Sequence, residues 1–187
     1  MDDNVREKIL LTSLKLFNEF GFHGTSTSKI AKASGVSNGA LFNRFKTKEE
    51  LINEIYRHVK LDFKQYLDRK FDKNLEIGES MKSLWKSAIQ WGITNPDYLK
   101  FQEQFNNSPY ASRLDKENTK NGLQAVCEKK ELLKNETGIS DEELNLLVVC
   151  MAGATNALSF YLINNEVDDL DGHIDKAFDL LFKGILK

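Results

Sequence analysis

Cysteine, proline and histidine are all scarce in this chain of 187 residues, and each shortage closes off a class of protein. Cys127 and Cys150 lie far apart with no Cys-x-x-Cys spacing, so neither a disulfide framework nor a thiolate metal site is expected. Both are read as buried free thiols. His23, His58 and His173 never reach the close spacing of a zinc site, so no metal is expected, and no cofactor. No apolar run approaches the roughly 18 residues that a membrane span needs, and Met1 through Leu10 is charged and acidic rather than basic and then apolar. The protein is therefore expected to be cytoplasmic, with no anchor or signal. A Gly-rich phosphate loop, a nucleophile elbow and a His-Glu-x-x-His motif are all missing, so it is not expected to be an enzyme.

With only two prolines and no alternating β-branched pattern bounded by turn residues, the fold class is expected to be all-α, with about nine helices. Ile9, Ser13, Leu16, Phe17 and Phe20 recur on one face of a helix over about 4–20, which Gly21 stops. Short helices are expected near 27–33 and 38–44. A long helix follows over about 47–73, opened by the capping box Thr47-Lys48-Glu49-Glu50 and striped by Leu51, Ile55, Tyr56, Val59, Phe63 and Leu67. Further helices are expected over about 78–94, 96–106, 109–135, 141–164 and 171–186. Asn95-Pro96 and Ser108-Pro109 each put a capping side chain before a proline at the first helical position, and Ser140-Asp141-Glu142-Glu143 is a second capping box.

Charge is unevenly placed. Residues 1–60 carry ten Lys and Arg against seven Asp and Glu, net +3, whereas residues 61–187 carry 16 against 21, net −5. A basic head on an acidic body suits a polyanionic partner for the head alone. Within that head, residues 26–45 pack two short helices through a tight turn. Ala31 is small where the second helix crosses it, Gly35 makes the turn, Val36 and Leu41 fill the space between, and Ser26 and Ser37 are the expected N-caps. This is a helix-turn-helix, whose second helix presents its first residues to base edges in the major groove while its neighbours grip phosphates. Asn38 can pair with a base edge, Ala40 can touch a thymine methyl, and Gly39 lets the backbone approach. Lys48 stands where the helix macrodipole disfavours a cation, which makes sense if its partner is a phosphate. Arg44 and Lys46 extend the basic edge, and Thr27 and Ser28 offer hydroxyls and amides to the same backbone.

Over residues 5–56 the chain resembles the TetR family of transcription regulators. The resemblance rests on Ile9-Leu10, Leu16-Phe17, Gly21-Phe22, Thr25-Ser26, Ile30-Ala31, Gly35-Val36-Ser37, Gly39, Leu41, Phe45 and Lys48-Glu49-Glu50-Leu51. It implies a DNA-binding domain at 1–47 and a helical effector-binding and dimerisation domain at 48–187. DNA contacts are expected from Thr27, Ser28, Ser37, Asn38, Gly39, Ala40, Phe42, Asn43, Arg44, Lys46 and Lys48. Two positions depart from the family pattern. Phe42-Asn43-Arg44-Phe45 stands where Tyr-x-His-Phe is usual, removing a hydroxyl that commonly bonds a phosphate, a loss of about 1 kcal/mol that the charge of Arg44 could offset. Thr12-Ser13 replaces a small Ala-Ala pair.

The body is rich in aromatic residues, which suits ordinary packing and is also compatible with an apolar pocket between helices. Trp85, Trp91, Phe101, Phe105, Tyr110, Met151 and Phe160 are the candidate lining for a small apolar or amphipathic effector. Small residues in 141–164 and the amphipathic pattern of Ile174, Ala177, Phe178, Leu181 and Phe182 permit close helix approach, and family resemblance implies a homodimer through these two helices. The function so implied is a repressor that a small effector releases from a double-stranded DNA operator. A helical ligand-binding or protein-interaction module with a decayed DNA-binding head is the alternative.

Overall fold

The computed structural model describes residues 2–72, 74–113, 133–135 and 137–182, apart from the side chains of residues 2 and 3. Among these residues the secondary structure is helical, with no strand, as the sequence predicts. The helices are α1 (Asp2–Gly24), α2 (Thr27–Ser34), α3 (Asn38–Arg44), α4 (Lys48–Lys70), α5 (Ile77–Thr94), α6 (Pro96–Asn106), α7 (Pro109–Arg113), α8 (Asp141–Asn164) and α9 (Leu170–Phe182). The helix expected over 109–135 is seen as α7 and a helical stretch at 133–135; the part between, with Cys127, lies outside the described residues.

The expected stop at Gly21 takes the form of a kink. Its φ of 72° and ψ of 168° belong to a region open essentially to glycine alone, and the helix resumes as far as Gly24. Beside the kink, the buried Thr25 hydroxyl shares its proton between the carbonyls of Leu16 at 3.1 Å and Gly21 at 2.9 Å. Ile9, Leu10, Ser13, Leu14 and Phe17 form the buried face of α1, and the Ser13 hydroxyl is satisfied by donating to the Ile9 carbonyl. Phe20, expected on that face, is instead exposed, with the Lys29 ammonium over its ring.

The described chain falls into two compact units, and the division differs from the functional one drawn at residue 47. One unit holds residues 2–62 together with 97–113; the other holds 63–96, 133–135 and 137–182. In the first, Ile30, Leu41, Phe45, Leu51, Ile52, Ile55 and Val59 join the α1 face in a core. Helices α6 and α7 belong to this unit because their aromatic rings close the core. Phe22 meets Phe17, Phe101 and Tyr110 edge to face at centroid distances of 5.2, 5.6 and 5.4 Å, and Tyr56 stacks on Phe105 at 4.0 Å. Each such pair adds about 0.5–1.5 kcal/mol beyond the apolar area it buries. Polar contacts reinforce the same seams: the Asn18 amide donates to the Asp97 carbonyl at 2.8 Å, and His58 hydrogen-bonds the Tyr98 hydroxyl at 3.1 Å.

The second unit is built round Trp85. Its ring meets Phe182 and Phe178 edge to face, and its indole N–H donates to the Ile174 carbonyl at 3.2 Å, so a large apolar group is buried with its one polar atom satisfied. Met81, Ile89, Leu133, Leu144, Leu147 and Leu162 complete this core. Ion pairs of Lys86 with Asp171 and Lys82 with Asp175 tie α5 to α9 at its edge. Asn95, expected to cap α6, turns its amide back to the Trp91 carbonyl at the end of α5. The Ser140 capping box forms as expected, with both reciprocal bonds in place.

Two expectations about α8 are corrected. Cys150 is exposed rather than buried, because the face of α8 that carries it is turned away from the core formed by Leu144 and Leu147. Among the described residues, α8 is also long and apolar enough by length and composition to cross a membrane, although polar residues interrupt its apolar run. Asn145, Thr155, Asn156 and Ser159 are outweighed by the Leu, Val, Ala, Met and Phe residues around them, and beyond the acidic first turn the helix carries no charge.

Candidate nucleic-acid interface

Local chemistry fixes the helix-turn-helix. The Ser26 hydroxyl accepts the Lys29 amide at 3.2 Å and the Ser37 hydroxyl accepts the Ala40 amide at 3.1 Å, so both short helices start at the expected caps. Between them Gly35 takes a left-handed conformation with φ of 70°, and its N–H closes the end of α2. Ala31, Leu41 and Phe45 are buried, which seats α3 on its neighbours and leaves one face outward. That face displays Ser37, Asn38, Gly39, Phe42 and Asn43 and continues into Lys46; Ala40 is half-buried.

The outward groups are not equally free. The Asn38 amide lies 3.5 Å from the Ser28 hydroxyl, which links the first turn of α3 to the first turn of α2. Ser28 is exposed and Thr27 half-buried. Arg44 folds back to donate to the Ala40 carbonyl at 3.1 Å, so its guanidinium satisfies the end of its own helix. Lys48 donates to the Phe22 carbonyl just beyond the kink in α1, and burial lowers the pKa of its ammonium from the ordinary lysine value. At the start of α4 the Thr47 hydroxyl accepts the Glu50 amide at 3.0 Å, while the Glu50 carboxylate accepts the Lys46 amide at 2.7 Å, one residue earlier than a regular capping box would have it.

A feature of the whole segment adds two cations to the expected set. Residues 25–48 contain Lys29, Lys32, Arg44, Lys46 and Lys48 and not one Asp or Glu. Lys32 and Lys46 are exposed and Lys29 half-buried. The run without acids was visible in the sequence and would have found Lys29 and Lys32, which the helix pattern alone does not single out.

The seven residues chosen for an effector site are not one group. Phe101, Phe105 and Tyr110 lie in the first unit, where Phe22 and Tyr56 engage them. Trp85, Trp91, Met151 and Phe160 lie in the second. There Trp85 is held by α9, Trp91 meets Phe63 at 4.8 Å, Met151 packs against the core and Phe160 is half-buried.

Residues 9–55 match the family model for bacterial regulatory proteins of the tetR family. Among curated proteins, an uncharacterized HTH-type transcriptional regulator of Bacillus subtilis, YhgD, is 30% identical over 100 residues, covering 52% of each chain. The biofilm operon icaADBC negative transcriptional regulator IcaR of Staphylococcus epidermidis is 25% identical over 107 residues, covering 57% of this chain and 56% of that one. The chain thus spans about half the length of the curated relatives it matches. In solved structures the likeness runs further: a tetR family transcription regulator from Shewanella sp. PV-4 superimposes with a TM-score of 0.83 at 25% identity, covering 97% of both chains. The helix-turn-helix residues are thus matched in sequence to the tetR family of bacterial regulatory proteins, and the helical fold is similar to that of a tetR family regulator along nearly the whole length.

Proposed function

We propose that the protein is a DNA-binding transcription regulator that acts as a homodimer and represses until a small effector releases it from its operator. The observation that carries the DNA-binding part is the acid-free run 25–48, which surrounds an outward helix of the right length for a major groove with five cations. Thr27, Ser28, Ser37, Asn38, Gly39, Ala40, Phe42, Asn43, Lys46 and Lys48 are the proposed contacts. Arg44 is the weakest of the original set, since it is spent on Ala40. The likeness to IcaR, a negative regulator, supports repression. A cytoplasmic location and the lack of enzymatic activity follow from the same reading.

Dimerisation is assigned to α8 and α9. Leu146, Val149 and Tyr161 on α8, and Leu180 and Leu181 on α9, are large apolar side chains left in solvent, and a second copy of the same faces would cover them. DNA binding is placed in residues 1–47 and effector binding and dimerisation in 48–187. Within the latter, the second unit is the proposed effector site, with Trp91, Met151 and Phe160 as candidate lining. Ser159 is fully buried there and its hydroxyl has no partner among the described residues. An unpaired buried hydroxyl costs about 1–3 kcal/mol, which supports an amphipathic effector with one polar group.

A fluorescence anisotropy titration against duplex DNA from upstream of the protein's own gene tests the reading. Specific binding at about 0.1 M salt is expected, with affinity falling linearly in log–log form as salt rises. Binding no tighter than the non-specific range of about 10⁻⁴–10⁻⁶ M to every sequence tried would overturn it.

A further inference from the structure

We propose that Phe42 is a specificity-determining residue that reads the C5 methyl group of thymine in the major groove, an inference that rests on the DNA-binding function above. On the seven-residue helix α3 the neighbouring apolar side chain Leu41 is 1% exposed and Phe45, just after it, 2%, as packing requires; Phe42 is 43% exposed. The core therefore does not need this ring. Phe42 stands four residues after Asn38 and so lies one turn along the same outward face, with Gly39 and Asn43 beside it. A phenyl ring carries no hydrogen-bonding atom and cannot take a phosphate oxygen. Apart from the small C5–H edge of cytosine, the base edges in a major groove are polar except for the thymine methyl, which is the largest group there that an apolar side chain can recognise. Duplex DNA is the occupant the charges favour, because the ring sits in a segment with five cations and no acid, and a second copy of this face would bring like charges together.

The test uses the full-length protein and its Phe42→Ala and Phe42→Leu variants. Wild-type protein first selects duplexes from a randomised pool; each thymine of the selected sequence is then replaced singly by deoxyuridine, which removes only the methyl group. One thymine in each half-site is expected to weaken wild-type binding by about 3- to 10-fold when replaced. The same replacement should cost Phe42→Ala less than about twofold, with Phe42→Leu between, and circular dichroism should be unchanged because the site is outside the core. An equal loss in wild type and Phe42→Ala at every thymine overturns the inference. So does a change in oligomeric state in Phe42→Ala with its base preference intact, since the ring would then serve a second copy. Failure of the wild-type protein to select any sequence is a different result, and it brings down the regulator reading itself.

Discussion

Residues 25–48 and helices α8 and α9 sort their side chains in opposite ways. In the first region the apolar residues Ile30, Ala31, Leu41 and Phe45 are inside, and what faces water is mostly serine, asparagine, glycine and lysine. In the second, Leu144, Leu147 and Leu162 are buried, yet Leu146, Val149, Tyr161 and Leu181 are exposed and Leu180 is 86% exposed. A surface of the first kind, on which Phe42 is the one large apolar side chain left exposed, suits a charged partner met from solution. One of the second kind leaves apolar area uncovered and gains free energy when another apolar surface covers it. The contrast separates the two proposed partners, DNA and a second copy, by the physics of each surface.

The largest expected effect tests whether the second region has a sound core beneath its apolar exterior. Trp85→Ala removes the ring that α9 closes on and should cost about 3–5 kcal/mol in chemical denaturation. Next comes the apolar exterior itself. Val149→Asp puts a charge on an exposed position and should leave the monomer's stability nearly unchanged, while weakening self-association more than about tenfold in sedimentation equilibrium. If Val149→Asp associates as tightly as wild type, the contrast between the two surfaces loses its meaning. Gly21→Ala probes the first unit: a side chain at φ of 72° and ψ of 168° should lower its stability by about 1–3 kcal/mol, read by thermal unfolding. The smallest effect is Lys46→Ala, which should weaken binding to all DNA sequences alike and reduce the slope of log affinity against log salt by about 0.9.

The helix-turn-helix was legible because its determinants are local. Ser26 and Ser37 cap, Gly35 turns, and Ala31 and Leu41 pack within a few residues of where each is read, so α3 runs over the predicted residues and α2 ends within one. What escaped depends on contacts distant in sequence. Phe101, Phe105 and Tyr110 look like any aromatic residues of the body until Phe22 and Tyr56 claim them for the first unit. Lys48 is the instructive intermediate. The dipole reasoning pointed to a phosphate as the partner of a cation at the start of α4; in the folded chain the Phe22 carbonyl, 26 residues earlier, accepts from the ammonium, a contact that spacing along the chain does not reveal. Asn95 shows the same blindness on a smaller scale, since its side chain could serve the helix before it or the helix after it and spacing does not choose.

That lysine has a further consequence. In free solution an ammonium group must shed much of its water to meet an anion, and a floppy side chain must also be immobilised. At Lys48 folding has already done a share of both, because the amine is partly withdrawn from water and tethered to the carbonyl of Phe22. A phosphate arriving at this corner would find a donor that only has to exchange one oxygen for another. If DNA is met at Lys48 as proposed, part of the ordering that the contact needs is already contained in the folded chain.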